Sequence, residues 1–407
     1  MKENIEKQFV ILTKGNVCYG STSYFAQRLN EEFLKAGRNS VLVSINDKND
    51  AIRLTREIFE KKNTAGIIGF NTDIYSYDDI FDIRDEQSSS LYVPLWHIIL
   101  DHPLYHNRVL KNKLHDMRVI CLDETHAQLI RKNYAHIKDV YVRPLPADTA
   151  KRLVPYMERS IDVLFTGTYT SSEDIISLAM HGGKNTMEIF QKMADYLINN
   201  PSYTIERAFE SVLNHVNKEF DTNFMDNLEL NFFADMFIRA VIREELLMEM
   251  LRSGIDVDIF GHGWEKFILK CDMVQEKEGV FSGKLKLHGE TDYKNLPDIY
   301  ADSKIALNVL PWFKAGQHDR ISLAMCNGCV CVSDESIYLE NKFVDGEELF
   351  MYSLEDMHEA AVIIKNLQAQ PLEAAKTAAK GYACAIRELG FKKYSEIFMT
   401  DSSEERS

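Results

Sequence analysis

The sequence predicts an α/β protein with two domains, each built on a parallel sheet. Three observations lead to this prediction. The chain has 407 residues, which is more than one hydrophobic core usually contains. Short apolar segments rich in β-branched residues alternate with segments of helical periodicity, the pattern of parallel α/β sheets. The segment Arg143–Pro146 contains two prolines and interrupts regular structure, so we expect the hinge between the domains from there to about Arg159.

The first domain, residues 1–150, is predicted to begin with a strand, a helix and a second strand. The helix over Ser23–Ala36 has apolar residues at helical spacing and is followed by Gly37, a residue type that commonly ends helices. Apolar runs between turn signals predict six strands in this domain: Phe9–Leu12, Val41–Ile45, Ala65–Gly69, Leu95–Leu100, Val119–Leu122 and Val140–Val142.

The second domain, residues 151–385, is predicted to begin with the strand Ile161–Phe165. The segment from about 171 to 251 has helical periodicity and few strand signals, so we expect a helical insertion there. Two helices, Leu354–Leu367 and Leu372–Glu388, are predicted near the end, and the polar Asp401–Ser407 is expected to be disordered. The remaining predicted strands are Val257–Phe260, Leu285–His288, Ile305–Val309, Cys329–Val332 and Leu349–Tyr352.

The acidic composition argues against several classes of function. The formal net charge is -15, from 62 acidic and 47 basic residues. Proteins that bind nucleic acids generally present a basic surface that displaces counterions, so we expect no nucleic-acid partner. The same acidic balance disfavours binding to an anionic membrane surface. Only peripheral association, through a local basic patch, stays open. Met1–Gln8 is charged, and no apolar run reaches the roughly 18 residues of a membrane-spanning helix, so we expect a cytoplasmic protein.

The sequence gives little indication of a metal site. The seven cysteines are scattered and odd in number, which favours a reducing compartment. Cys326, Cys329 and Cys331 lie close together, but no second ligand pair follows, so we predict a core or turn role for them. Asp256 and Asp258 have DxD spacing, and we predict that they are solvated residues at the start of a strand.

A polar cluster follows the predicted strand Leu95–Leu100. Asp101 and His102 lie at the carboxyl end of this strand, where open α/β sheets bind their ligands. A carboxylate beside a histidine is suited to proton transfer or to binding a hydroxyl group. The alternative is that Asp101 only closes an Asx-type turn before Pro103.

Glycine-rich turns follow three predicted strands of the second domain. The backbone amides of such turns can bind a pyrophosphate. Each turn alone is consistent with ordinary loop structure, but their common position at strand ends predicts that they line one pocket. The residues assigned to this pocket are Gly167, Thr168, Gly261, Gly263, Trp264, His288, Gly289 and Tyr293.

The loop after the predicted strand Ile305–Val309 gives the strongest indication of an anion site. His318, Asp319 and Arg320 open a predicted helix, whose N-terminus adds a partial positive charge. Arg320 is suited to bidentate binding of a diphosphate. The alternative is an ion pair between Asp319 and Arg320 at the surface, which would contribute little. Asn308 and Gly316 are assigned to the same site.

The order of these motifs resembles the glycosyltransferase family 1-like group that includes the spore-maturation CgeB-like proteins. The resemblance extends from Val163 to about Tyr352 and, more weakly, to Asp101–Leu104. Many relatives carry a glutamate directly before the Ala-Met pair, where this chain has Leu323. The motifs that carry the resemblance are Phe165–Thr168, Phe260–Trp264, His288–Glu290, Tyr300–Asn308, Gly316–Arg320, Ala324–Gly328, Ser333–Asp334 and Phe343–Glu348.

The resemblance implies the GT-B architecture of two facing Rossmann-like domains. The C-terminal domain would bind a nucleotide-sugar donor, and the N-terminal domain would bind a hydroxyl-bearing acceptor. Residues 386–407 would form a helix that returns to the first domain, followed by the tail. The implied reaction is a hexosyl transfer, independent of metals and cofactors, from a UDP-type donor to a glycan, lipid-linked or protein acceptor such as a bacterial cell-surface glycan.

The resemblance also suggests roles for individual residues. His318 and Arg320 would offset the charge that grows on the leaving diphosphate. His288 and Tyr293 would frame the nucleotide base, and Asp101 or His102 would deprotonate the acceptor. Two alternatives stay open, a sugar-nucleotide 2-epimerase on the same fold and a non-catalytic nucleotide-sugar-binding protein. A nicotinamide dehydrogenase is disfavoured because neither domain has a G-x-G-x-x-G fingerprint.

Overall fold

The computed structural model describes residues 7–14, 18–61, 63–76, 93–114, 116–182, 184–215, 223–279 and 281–399. The chain divides into two compact units, and the division falls between Leu145 and Pro146, within the predicted hinge segment. Asp292–Lys294 and the described residues from Phe391 onward group with the first unit, and the other described residues after Leu145 form the second. The polar tail Asp401–Ser407 lies outside the described residues.

The first unit contains a six-stranded sheet whose strands are all parallel. The strand order is β2-β1-β3-β4-β5-β6, so the direction of winding reverses between β1 and β3. The strands are β1 (Gln8–Thr13), β2 (Ser40–Ser44), β3 (Thr64–Phe70), β4 (Leu95–Ile98), β5 (Met117–Cys121) and β6 (Asp139–Val142). The helices are α1 (Ser21–Lys35), α2 (Lys48–Lys61), α3 (Asn107–Leu110) and α4 (Glu124–Asn133).

Aromatic side chains form the core between this sheet and its helices. Phe25 and Phe33 lie on the buried face of α1, and Phe33 makes an edge contact with Phe9 of β1 at a ring distance of 4.9 Å. Phe398, near the end of the described chain, packs against Phe33 and against Trp96 of β4. The last of the described helices, Phe391–Ser395, also belongs to this core, because Phe391 packs on Phe25 of α1.

The second unit contains another parallel six-stranded sheet. Its order is β12-β11-β10-β7-β8-β9, so the winding reverses between β7 and β10, as in the Rossmann arrangement. The strands are β7 (Ile161–Thr166), β8 (Val257–Phe260), β9 (Leu285–Gly289), β10 (Ser303–Leu307), β11 (Val330–Asp334) and β12 (Phe350–Tyr352). The predicted α/β fold class is confirmed, and the predicted strand ends agree with the structure within two residues.

A group of helices separates β7 from β8 in sequence. Ser171 caps the first of them by accepting a hydrogen bond from the Glu173 amide, and acidic residues follow in the first turn, as helix N-termini favour. The last is a 21-residue helix that packs against the first two. The helices are α5 (Ser172–Met180), α6 (Lys184–Ile198), α7 (Ile205–His215), α8 (Phe224–Leu230) and α9 (Phe232–Arg252), and we call the segment Ser172–Arg252 the helical insertion.

Seven further helices follow in the described part of the chain. They are α10 (Trp264–Glu278), α11 (Leu296–Ala301), α12 (Asp319–Cys326), α13 (Ile337–Lys342), α14 (His358–Ala369), α15 (Pro371–Glu388) and α16 (Phe391–Ser395). None of the helices in the described part of the chain combines the length and the apolar character that crossing a membrane requires.

Candidate functional site

The carboxyl end of β7 lies at the point where the second sheet reverses its direction of winding. Ligands of open α/β sheets bind at such a point, because the loops from the two central strands leave a crevice there. Gly167 follows β7 directly and has a φ of +145°, a backbone conformation that residues with a side chain rarely adopt. The turn Thr166–Tyr169, which we call the β7 turn, is therefore the natural centre of a candidate site.

Glycines let the neighbouring turns approach the β7 turn closely. The Gly167 amide donates to the Phe260 carbonyl, and the Gly261 amide donates to the Gly289 carbonyl. A Cβ atom on Gly261 would lie 2.0 Å from the Gly167 carbonyl oxygen, and one on Gly263 would lie 2.4 Å from the Tyr169 carbonyl oxygen. The structure thus brings Gly167, Gly261, Gly263 and Gly289 together, as the sequence predicts for the residues of one pocket.

Trp264 packs against the β7 turn and donates a hydrogen bond to it. Its Nε1 donates a 2.7 Å hydrogen bond to the Gly167 carbonyl, and its ring stacks on Tyr169 at 5.0 Å. The side chain is only 1% exposed, so it has no face left for a ligand. The assignment of Trp264 as a donor-binding residue is therefore corrected to a structural role.

Arg320 forms hydrogen bonds at the carboxyl ends of both β7 and β10, the strands between which the winding reverses. Its Nη1 donates to the Thr166 carbonyl at the end of β7 (3.2 Å), and its Nε donates to Oδ1 of Asn308, directly after β10 (3.1 Å). Asn308 is buried and is itself held by Ser333 and by the hydroxyl of Tyr352. Arg320 Nη1 lies only 3.0 Å from the position of a Cβ on Gly167, so the guanidinium sits directly over the β7 turn.

The start of α12 holds His318 and Asp319 beside Arg320 in sequence. Their side chains contact each other through Nδ1 and Oδ1, and Asp319 is buried. The ring of His318 also packs on Phe313, with 5.6 Å between ring centres. The carbonyl of Gly316 accepts a hydrogen bond from Ser336, which fixes the loop that precedes the helix. Because Asp319 is buried, the structure argues against the alternative of a surface ion pair between Asp319 and Arg320.

His288 is held by an acidic partner that the sequence analysis placed in solvent. Its Nε2 lies 2.6 Å from Oδ1 of Asp258, and its ring stacks on Phe260 at 4.3 Å. Asp258 is 6% exposed, so the expectation of a solvated side chain there was wrong. The reason is that Asp258 lies on an inner strand of the sheet, where His288 and Lys286 of the adjacent strand cover it.

Tyr293 does not belong to the group of turns around β7. It is buried and groups with the first unit, where its ring packs on Phe25 at 5.0 Å and on Tyr24 at 5.2 Å. An apolar aromatic contact of this kind leaves little of the ring for a nucleotide base. The prediction that Tyr293 frames the base is therefore corrected to a packing role in the first core.

In the first unit, Asp101 and His102 have different environments. Asp101 is half-buried, and its Oδ2 accepts a 2.7 Å hydrogen bond from Asn71, a residue with a φ of +44° at the end of β3. His102, rather than Asp101, caps the short helix Pro103–His106, because its Nδ1 accepts from the Leu104 amide. A neutral His102 with this bond carries its proton on Nε2, so Asp101 is the better candidate for a base.

One cationic residue of this region was missed by the sequence analysis. Arg243 of α9 donates a 2.7 Å hydrogen bond from Nη1 to the carbonyl of Thr168, within the β7 turn. It lies 75 residues from Thr168 in the chain, so no local motif indicates the contact. The only signal in the sequence was a pair of arginines, Arg239 and Arg243, at helical spacing in a largely apolar segment.

The described residues contain no group of three or more His, Cys, Asp or Glu side chains arranged to hold a metal ion. Cys326, Cys329 and Cys331 are buried, and Cys329 donates from Sγ to the Tyr300 carbonyl. Burial raises the pKa of Cys326 and of Cys329 to about 12, so both thiols stay protonated.

Comparison with known proteins identifies the fold. A family model described as "Glycosyl transferase-like" matches residues 239–394, which include Arg243 of α9 and the whole of α12. None of the curated proteins compared with the chain matches it in sequence.

Solved structures match over nearly the whole chain. An α-glucosyltransferase in complex with UDP and DNA matches with a TM-score of 0.58 at 10% identity, over 97% of this chain and 100% of that one. HepE of Anabaena, in complex with UDP-glucose, matches with a TM-score of 0.53 at 10% identity, over 98% and 99% of the two chains. Sucrose-phosphate synthase from Thermosynechococcus elongatus matches with a TM-score of 0.54 at 10% identity, over 98% and 99%. The chain therefore has the GT-B glycosyltransferase fold, with a parallel six-stranded sheet and flanking helices in each unit.

Proposed function

We propose that this protein is a glycosyltransferase that takes its sugar from a nucleoside-diphosphate donor. The observation that carries the proposal is the position of Arg320, which spans β7 and β10 and lies over the glycine of the β7 turn. A guanidinium at this place can bind a diphosphate and offset the charge that develops on it as the leaving group. The "Glycosyl transferase-like" match and the UDP and UDP-glucose complexes of proteins with this fold support it.

The donor diphosphate would bind along Gly167, Thr168 and Arg320, with His318 nearby at the start of α12. We propose that Arg320 and His318 take the place of the metal ion that other glycosyltransferases use. We also propose that the nucleotide is UDP. The proposed acceptor bears a hydroxyl group on a glycan, a lipid-linked glycan or a protein, and the proposed relatives are the CgeB-like proteins. On the acceptor side, Asp101 is the proposed base, because a carboxylate held by Asn71 can accept the hydroxyl proton.

Binding of UDP provides the direct test. In titration calorimetry, we expect Arg320→Ala to weaken UDP binding by at least tenfold, with an unchanged unfolding transition. Lys376→Ala, which removes a cation from an exposed pair with Glu373, serves as the matched control and should bind UDP like the wild type. Equal UDP affinity of the Arg320→Ala protein and the wild type would contradict the proposed site.

Product analysis separates the proposed activity from its alternatives. Incubation with UDP-sugar and acceptor extracts should yield a glycosylated product and free UDP. A UDP-sugar epimerised at C2 in the absence of acceptor would identify an epimerase instead. Binding of UDP-sugar without turnover over long incubation would identify a binding protein. Leu323 is in keeping with this alternative, because it is buried and apolar where many relatives carry a glutamate.

A further inference from the structure

Two arginines approach the β7 turn from different elements. Arg243 of α9 donates to the Thr168 carbonyl at 2.7 Å, and Arg320 of α12 donates to the Thr166 carbonyl at 3.2 Å. These two carbonyls flank Gly167, which carries no side chain. The two guanidinium groups therefore bracket the turn that the proposed function assigns to a diphosphate.

Among the described residues, no hydrogen bond or ion pair joins either guanidinium to a carboxylate. Arg239, one helical turn before Arg243, does pair with a carboxylate, the buried Asp235, at 2.6 Å. Arg243 instead has its Nε buried without a hydrogen-bond partner. Burial lowers the pKa of Arg243, the charges of Arg320 and Arg239 lower it further, and the charge of Asp235 only partly opposes them. Cations that repel each other in this way are stabilised when an anion binds between them.

The residue after Arg243 holds α9 against the β7 turn. Glu244 accepts hydrogen bonds from the Tyr169 hydroxyl at 2.6 Å and from the amide and hydroxyl of Ser172 at 3.0 and 2.9 Å. These contacts fix the helix to the segment that leaves the turn. The position of Arg243 is therefore set by its neighbour, which is the preorganisation that a binding residue needs.

We propose that Arg243 is a second cation of the diphosphate site and binds the anion together with Arg320 across the β7 turn. The inference rests on the proposed function, because it uses the same turn. With Nη1 engaged by Thr168 and Nε buried, Nη2 is the nitrogen proposed to bind a phosphate oxygen. The helical insertion thus takes part in substrate binding.

The test compares Arg243→Met, Arg243→Lys and Arg252→Ala in titrations with UDP and with inorganic pyrophosphate. Arg243→Met should weaken binding of both probes by about tenfold or more, which corresponds to about 1.4 kcal/mol. Arg243→Lys, which keeps the charge, should restore part of this loss. Arg252→Ala removes an arginine from the other end of the same helix and should bind like the wild type.

Stability without ligand distinguishes binding from structural support. Because Arg243 is a partly buried cation that no ion pair joins to a carboxylate, Arg243→Met should unfold at the same or a higher temperature than the wild type. Wild-type affinity of Arg243→Met for both probes, or a loss of affinity that accompanies a lower unfolding temperature and is not relieved by Arg243→Lys, would overturn the inference. If the wild type binds pyrophosphate through Arg243 but transfers no sugar, the anion site stands and the proposed function fails. If sugar transfer is found and Arg243→Met retains full affinity, the proposed function stands and the inference about Arg243 fails.

Discussion

Tyr169 and Glu244 are joined by a 2.6 Å hydrogen bond from the phenol hydroxyl to the carboxylate. Burial raises the pKa of Tyr169, and the carboxylate of Glu244 raises it further, so the hydroxyl keeps its proton and donates it. Glu244 is 3% exposed and also accepts a 2.7 Å hydrogen bond from Lys270 of α10. A single carboxylate therefore connects the helical insertion, the β7 turn and α10.

Removal of this carboxylate should destabilise the second unit. Glu244→Ala leaves Lys270 without one of its two acidic partners and leaves the Tyr169 and Ser172 donors unsatisfied, so we expect a loss of about 3 kcal/mol in the free energy of unfolding. Urea unfolding measures this loss. Asp174→Asn, which breaks the exposed pair with Lys266, is the control and should change stability by less than about 0.5 kcal/mol. A loss below about 1 kcal/mol for Glu244→Ala would contradict the role described for Glu244.

Substitution of Gly261 tests the crowding of the glycine turns. Gly261→Ala places a methyl group 2.0 Å from the Gly167 carbonyl oxygen, so the β7 turn must move. Gly279→Ala has the same kind of strain, at a φ of +102°, but no atom within 4 Å of the new methyl group. We expect Gly261→Ala to lower the melting temperature more than Gly279→Ala and to weaken UDP binding, which Gly279→Ala should leave unchanged. Equal effects of the two substitutions would show that the close approach is not required.

The buried histidines of the first unit should make its stability depend on pH. Burial, and then the charges of His102 and His126, lower the pKa of His106 to about 3 from its ordinary 6.5. Between these values the unfolded chain binds a proton that the folded chain does not, so stability falls as the pH drops below about 6.5. From pH 6.5 to pH 5, His106 alone should cost roughly 2 kcal/mol.

Urea unfolding at pH 7 and pH 5 provides the measurement. His97, whose ring contacts His106 at 5.1 Å, also has a pKa that burial lowers, so it adds to the effect in the same direction. His106→Phe keeps a ring in this contact but cannot bind a proton. It should show a smaller loss between the two pH values than the wild type, and an equal loss would contradict the assignment.

Asp101→Asn tests the proposed base. The substitution retains the size of the side chain and removes its ability to take a proton, so sugar transfer should fall by at least a hundredfold while UDP affinity stays unchanged. Asp116→Asn is the control, since Asp116 is also a carboxylate of the first unit that lies next to a strand, directly before β5, and is paired with Arg118. Transfer by Asp101→Asn at the wild-type rate would leave the acceptor side without its proposed base, whereas a loss of UDP binding would place Asp101 on the donor side.

Local features of the sequence were sufficient to predict the fold. Each strand is a short apolar run between turn residues, and the two prolines of Arg143–Pro146 lie at the division between the units. The glycine turns could be predicted for the same reason, because each follows its strand directly.

Contacts between distant segments could not be predicted in this way. Arg243 lies in a helical segment whose pattern indicates only packing, and its contact with Thr168 depends on how the insertion folds back. We expected Asp258 to be solvated because the DxD spacing alone does not reveal that side chains of an adjacent strand cover it. Tyr293 was assigned to a pocket from its neighbours in sequence, whereas its actual neighbours, Tyr24 and Phe25, lie near the other end of the chain.

The crossover between β7 and β8 occupies more of the chain than any other connection in the second sheet. A crossover can change in length without altering the hydrogen bonds between the strands that it links. In this protein the same segment supplies Arg243 to the β7 turn. On the proposed site, exchanging this one segment between proteins that share the sheet would alter how tightly each binds a diphosphate, and the hydrogen bonds between the strands would not change.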